Sequence, residues 1–192
     1  MCVASPPIEL IERQRRITVD EYHRMIDAGI LREDDHVELI EGFLVEMTPQ
    51  KSPHAFAIQE LSNLLARSLS LEFRVRVQLP LVLGSKNQPE PHIAVVKASR
   101  RQAEEHPTNA LLVIEVSGAS LRIDHDVKTA VYARHQVPEY WIVDLANERI
   151  EVHRDPDSAA EGYRTVLIFG PGEPVSPAAL PGVTIDLADL LG

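Results

Sequence analysis

A carboxylate interrupts one of the most apolar stretches of the chain: Glu115 in LLVIEVS. Burying a lone carboxylate in a strand is costly, so Glu115 requires a cation, an Arg or Lys partner, or the open end of a sheet. The pattern alone leaves two readings even, a glutamate paired with a nearby lysine or a carboxylate that does chemistry. Lys128 follows thirteen residues later and one helical turn after Asp124. That spacing fits an ordinary solvated ion pair worth about 0.2–0.5 kcal/mol; a helix packed beside the strand end would instead bring the ammonium to Glu115. Glu38 lies within HVELIEG, where alternation sets Val37 and Leu39 on one face and Glu38 and Ile40 on the other. Glu41, beside Gly42, is expected at a turn and exposed to solvent. His92 directly precedes IAVV, and His54 stands near a helix start. From residue type alone, each is either a packed or surface histidine or a ligand.

Other chemistries lack their signatures. The chain has no GxSxG elbow, no phosphate-binding glycine loop, no GxGxxG and no CxxC. Its eight histidines are scattered, and no pair has the tight spacing of a helical zinc motif. Ser117, His92 and Asp124 could be drawn as a hydrolytic triad, but nothing sets the serine on a strained turn.

The elements that must position these residues follow from periodicity. Residues 1 to about 16 read as a tail centred on Pro6-Pro7, and 17–192 as a single domain. Thr18-Val19-Asp20-Glu21 matches a capping box that opens a short helix closed by Gly29. HVELIEGFLVEMTP reads as a β-hairpin turning at Glu41-Gly42. Ser52 is expected to cap a helix running to about Leu71, with Ala57, Ile58, Leu61, Leu64 and Leu65 as its apolar stripe. Arg74 to Leu83 alternates, with Val75, Val77 and Leu79 facing one way and Arg74, Arg76 and Gln78 the other. PHIAVVK and ALLVIEVS are β-rich, the second apolar enough for a central strand. Arg122 to His135 places Ile123, Val127, Ala130 and Val131 on one helical face, ended by Pro138. YWIVDLAN, ERIEVHRD, GYRTVLIFG and VTIDL complete the series as strands. The order predicts an α/β fold, a mixed sheet flanked by helices with a β extension at the C-terminus, in which the strands around the 122–135 helix run parallel.

Composition narrows the class. Hydrophobic residues make up 44% and charged residues 25% of 192, an ordinary globular balance with enough length for a real core. The net charge of −10 disfavours a phosphate-binding coat over the whole surface but leaves room for a local basic cleft. Arg74, Arg76, Arg100 and Arg101 are candidates for phosphate contacts, each also readable as solvated surface. No stretch approaches the roughly 20 apolar residues of a membrane helix. With Cys2 as the one cysteine, a soluble cytoplasmic protein in a reducing compartment is expected.

Taken together, HVELIEGFLVEMTP, SPHAFAIQELSNLL, VQLPLVL, QPEPHIAVV, LLVIEVSGASLRIDHDVKTAVYA and VPEYWIVDL occur in an order and at intervals that resemble the Uma2 family (DUF820). That family is a branch of the PD-(D/E)xK restriction-nuclease-like superfamily. The resemblance covers roughly residues 17 to 155, and IEVS…D…K…YA…PEYWIVDL is its most specific part. It implies a restriction endonuclease-like sheet with a cleft where two strand ends splay. It also implies carboxylates holding one or two divalent metals, Mg²⁺ or Mn²⁺, beside the scissile phosphate of DNA. Glu115 falls on the glutamate of the (D/E)xK element. The usual lysine place two residues on is Ser117, and Lys128 matches the family's alternative on the following helix. Glu38 matches the glutamate of the first hairpin, a further metal or supporting ligand, and His54 and Gln78 match polar positions of the SPxH and QxP segments.

The chain departs from that pattern at one position. Where the family reads PEPD, this sequence reads Pro89-Glu90-Pro91-His92. The missing aspartate is the principal metal ligand, and an imidazole in its place brings one nitrogen, no negative charge, and a preference for softer ions. Three readings follow. The chain is an endonuclease with Glu115, His92 and Glu38 on the metal and Lys128 beside the attacking water. Alternatively it is a nuclease-fold protein without catalysis that binds nucleic acid or a partner. In the third, Glu115, Glu38 and His92 with His54 hold Mn²⁺, Zn²⁺ or Ni²⁺. Cleaving both strands of a duplex commonly takes two active sites, so a homodimer is expected, with the segment after Asn147 as its interface or as cover for a sheet edge.

Overall fold

The strand that carries Glu115 is the third of six in one mixed sheet. A computed structural model describes residues 14–118, 123–180 and 182–191; most of the predicted tail lies outside them, as do the side chains of residues 33, 123 and 124. The sheet runs β3 (Phe73–Val77), β4 (Ile93–Lys97), β5 (Leu112–Ser117), β6 (Glu139–Asp144), β7 (Arg149–Asp157) and β8 (Gly162–Phe169) in that spatial order. Strands β5 and β6 are parallel, as the intervening helix requires, and the other neighbours are antiparallel. A separate hairpin pairs β1 (Val37–Ile40) with β2 (Phe43–Glu46). Its turn residues Glu41 and Gly42 both have positive φ, 53° and 76°, the twist that suits a two-residue hairpin turn.

Helix α1 (Val19–Asp27) carries the expected capping box, with Thr18 and Glu21 bonded reciprocally. Helix α2 (Ser52–Ser68) buries Ala57, Ile58, Leu61 and Leu65 against the sheet. It starts one residue earlier than a Ser52 cap would place it: Lys51 is the cap position, and its side chain makes no capping bond. It also ends before Leu71, which is 88% exposed.

Period-two alternation sorts β5 between two cores. Leu112, Ile114 and Val116 join the layer formed by α2 and the C-terminal segment, while Val113 faces a second layer with Ile40, Leu81, Val131 and Tyr132. Glu115 is in phase with Val113, on the side covered by the helix after β5.

Three predicted elements differ. The strand expected to Leu83 stops at Val77, where Gln78 has a positive φ of 49° and Pro80 has no N–H for a ladder. Leu79 is consequently exposed, and Leu81 and Leu83 turn into the second layer. VTIDL forms only a single bridge, Val175 to Ile185, and a 3₁₀ turn at Leu187–Leu190. Pro174 and Pro177 interrupt the run that would have to pair with it, and the segment packs as an apolar cover instead. The 122–135 helix begins as a π-helical turn, Ile123–Lys128, and becomes α-helical only in α3 (Thr129–Arg134).

Candidate active site

Register delivers the first two site residues. Ile93 pairs with Ile114 in the antiparallel β4–β5 ladder, so the next step along both strands sets His92 opposite Glu115. The His92 backbone N–H donates to Glu115 Oε2 at 3.1 Å, and His92 Nδ1 lies 2.5 Å from the same oxygen. The Val116 backbone N–H donates to that Nδ1 at 3.2 Å, so this edge of the ring is held between a backbone donor and the Glu115 carboxylate.

The π-turn delivers the third. Its extra residue per turn rotates the helix face. Val127, expected inward, is 39% exposed, and Lys128 is buried at 6%. Lys128 Nζ lies 2.9 Å from Glu115 Oε1 and 3.0 Å from Glu38 Oε1. Lys128 is therefore a buried bridge between two carboxylates and not a solvated helix residue.

Glu38 reaches the bridge because Leu39 pairs with Gln88, which anchors the hairpin beside the segment leading into β4. Its second oxygen accepts the Glu90 N–H at 3.0 Å. Tyr132, one turn after Lys128, donates its hydroxyl to Glu115 Oε1 at 3.2 Å. Tyr132 has no role assigned from its residue type; its four-residue spacing from Lys128 is the signal in the sequence that pairs them.

Electrostatics follow from this packing. Burial by itself pushes the Glu115 carboxyl up, but the Lys128 ammonium and His92 outweigh it and hold the group well below the usual carboxylate range. Burial also raises the Glu90 carboxyl, reinforced by Glu38. The Tyr132 phenol is raised by burial and by Glu115. His54, on the first turn of α2, is lowered to about 4, mainly by desolvation and then by His92. Its Nε2 is 3.0 Å from His92 Nε2, with the rings edge to face.

Glu38, His54, Gln78, Glu90, His92 and Lys128 all line one cavity of about 480 Å³. Gln78 contributes through its backbone as well, donating to the carbonyls of Pro91 and His92 at 3.2 Å each and fixing the chain ahead of β4. Glu38, His54, Gln78, His92 and Lys128 thus share one cleft, with Glu115 buried behind His92 and Lys128.

Other expectations separate from it. Arg74, Arg76, Arg100 and Arg101 do not line the cavity; Arg74 donates to the carbonyls of Leu71 and Phe73, and Arg76 to Pro80. Glu41 is half-buried and pairs with Arg134 at 2.7 Å instead of facing solvent. The triad drawn from Ser117, His92 and Asp124 finds no support, since His92 is committed to Glu115; the Asp124 side chain lies outside the described residues.

The matched family is the one described as "Uma2: Putative restriction endonuclease", over residues 19–188. This chain belongs to the Uma2 family. A solved structure from Anabaena variabilis, titled as a putative nuclease belonging to DUF820, superposes with a TM-score of 0.73 at 17% identity, covering 91% of this chain and 97% of that one. No curated protein matches. The Uma2 assignment makes a nuclease the class of activity to test against the cleft.

A divalent cation is what such a family implies, and the donors at this cleft can be tested for it. The position between Glu38 and Glu115 is taken by the protein's own ammonium. Among the described residues, no three His, Cys, Asp or Glu side chains already surround a common point. The two imidazoles at the cavity wall, one backed by Glu115, are nevertheless nitrogen donors that suit a divalent first-row ion. The residues fit a cation held with help from water or phosphate oxygens.

Proposed function

We propose that this Uma2 protein is a metal-dependent endonuclease that hydrolyses phosphodiester bonds in DNA at the Glu38–Glu115–Lys128 cleft. The observation that carries the reading is Lys128, a buried ammonium 2.9 and 3.0 Å from two buried carboxylates at the wall of an open cavity. A structural core seldom retains such a group, because replacing buried ions with apolar residues is often neutral or stabilising. A phosphodiester is anionic and repels hydroxide, so its hydrolysis needs fixed positive charge at the phosphate.

Each residue then has a task. Lys128 stabilises charge growing on the phosphorus oxygens and orients the attacking water. Glu115 and Glu38 hold the ammonium in place, and Tyr132 fixes Glu115 from the helix side. His92, the position where the family pattern has aspartate, couples Glu115 to His54 at the cleft mouth. A divalent ion, Mg²⁺ or Mn²⁺ in the family's usual chemistry, would screen the phosphate and lower the pKa of a bound water. We further propose a homodimer, supported by the edge strand β8, where Val166 and Ile168 are 49% and 59% exposed.

The test is cleavage of supercoiled plasmid and of single-stranded DNA with Mg²⁺ or Mn²⁺. Nicked or linear products are expected from the native chain and none from Lys128→Ala, whose binding to a DNA fragment should persist. The substitution at His92 favours a second reading, a DNA-binding protein without catalysis. Steeply salt-dependent, metal-independent binding with no cleavage in any ion would establish it and refute the first.

A further inference from the structure

His54 and His92 lie 38 residues apart in sequence, one on the first turn of α2 and one at the base of β4, yet their Nε2 atoms meet at 3.0 Å. The orientation of His92 is fixed from behind. Its Nδ1 is held at 2.5 Å by the fully buried Glu115, which aims Nε2 away from the carboxylate and toward His54. A carboxylate behind one ring nitrogen, with the other presented outward, is the usual support of a metal-binding histidine.

The spacing agrees with that role. Two nitrogens bonded to one ion at about 2.0–2.1 Å lie about 2.9 Å apart at right angles and about 3.3 Å apart at the tetrahedral angle. The observed 3.0 Å is spanned here by a hydrogen bond between the two rings and falls within this interval, so an ion bound by both replaces the shared proton. Charge agrees as well. Lys128 fills the gap between Glu38 and Glu115, so a cation entering the cavity meets imidazole nitrogen before it meets those two oxygens.

We propose that the cleft binds a nitrogen-preferring first-row divalent ion, of which Zn²⁺ and Co²⁺ are the probes, through Nε2 of both His54 and His92. Glu115 acts as the positioning carboxylate behind His92 and is not a direct ligand. The remaining coordination positions belong to water and, in the loaded state, to phosphate oxygens. This deepens the nuclease reading and rests on it for the purpose of the ion, while the binding itself is measured without nucleic acid. Mg²⁺, which prefers oxygen ligands and keeps its waters, binds at this pair more weakly and serves cleavage only at higher concentration.

The experiment is titration of the metal-free full-length protein with Zn²⁺, Co²⁺ and Mg²⁺ by calorimetry, with the visible spectrum of the Co²⁺ complex as a second readout. One Zn²⁺ or Co²⁺ per chain is expected, at least about 100-fold tighter than Mg²⁺. His54→Ala and His92→Ala should each weaken it at least about tenfold and alter the Co²⁺ spectrum. Glu115→Gln should weaken binding by about 10–100-fold with the spectrum retained, as loss of an outer partner does. His54 is only partly buried, so its alanine variant is expected to fold, checked by circular dichroism. Replacing both His125 and His153 with Ala removes the other imidazole pair, whose rings lie 6.2 Å apart, and should change nothing. The proposal is overturned if Mg²⁺ binds as tightly as Zn²⁺, if binding survives both His54→Ala and His92→Ala, or if it is lost only with His125 and His153. Histidine-dependent Co²⁺ binding without DNA cleavage in any ion upholds the site and removes the nuclease reading. DNA cleavage together with Co²⁺ binding that survives both His54→Ala and His92→Ala does the reverse.

Discussion

Replacing Lys128 with methionine keeps the length and apolar volume of the side chain and removes its charge. Glu115 and Glu38 would then face each other's charge in a site where both are buried, at 0% and 4% exposure. Removing one partner of a buried pair costs about 3–5 kcal/mol, because the remaining charge is left without compensation. Tyr132 and the His92 backbone N–H still bond Glu115, so the lower end of that range is expected, about 3 kcal/mol at pH 7. Against a typical total of about 5–15 kcal/mol, the variant remains folded at 25 °C. Unfolding in urea is followed by the fluorescence of Trp141, the single tryptophan and fully buried.

The pH dependence separates this account from loss of packing. In the native protein, Glu115 is held below its unfolded value. It therefore contributes stability that is present above the unfolded pKa of about 4.3 and is lost as pH falls toward the folded value. In Lys128→Met, burial becomes the dominant influence and raises the folded pKa above the unfolded one. The sign then reverses: the variant keeps this stability at low pH and loses it as pH rises through the raised value. The difference between native and variant should widen from pH 4.5 to 7, and adding Glu115→Gln should recover about half the loss at pH 7. A loss under about 1 kcal/mol, or an equal loss at pH 4.5 and 7, would refute the placement of the ammonium.

Other expectations are local. Thr18→Ala removes the side chain that caps α1 through the Glu21 N–H and should cost about 1 kcal/mol in urea unfolding. Gly42→Ala should be unfavourable by about 1–3 kcal/mol, since φ is positive and a Cβ would stand 2.7 Å from Arg16 Cβ and 2.9 Å from the Ile17 carbonyl oxygen. Leu61→Ala empties a fully buried position between α2 and the sheet and should cost about 2–5 kcal/mol, read from the urea midpoint.

The strands of the sheet were legible because their periodicity is simple. LLVIEVS is apolar enough for a central strand, YWIVDL reads as a further strand, and the helix between them made them parallel. Even the burial of Glu115 was readable as a demand for a partner. Its supplier was not, because Lys128 at four residues from Asp124 reads equally well as surface on an ideal helix. The π-turn that turns Lys128 inward and Val127 outward leaves no mark in 3.6-residue periodicity. The C-terminal VTIDL failed for a different reason: β-rich residues form a strand only where a partner edge is open to them, and prolines broke the run that could have paired. The His54–His92 contact is of a third kind. Neither histidine has a local signal, and the contact exists because the first turn of α2 and the start of β4 converge at one end of the sheet.

That convergence gives the substitution at His92 its physical meaning. Two carboxylates against one ammonium leave the inner site with a formal charge of −1, whereas an aspartate at position 92 would make it −2. A strongly hydrated ion such as Mg²⁺ gives up water reluctantly and needs that extra charge to be held. Imidazole offers less charge and a more covalent donor, which favours ions further along the divalent series. His92→Asp should therefore exchange one preference for the other, strengthening Mg²⁺ binding and weakening Zn²⁺ binding in the same calorimetric titration. His54 would then no longer contribute, because its partner nitrogen has gone. If His92→Asp left both affinities where they were, the residue opposite Glu115 would have no part in holding a cation, and the cleft would owe its charge balance to Lys128 alone.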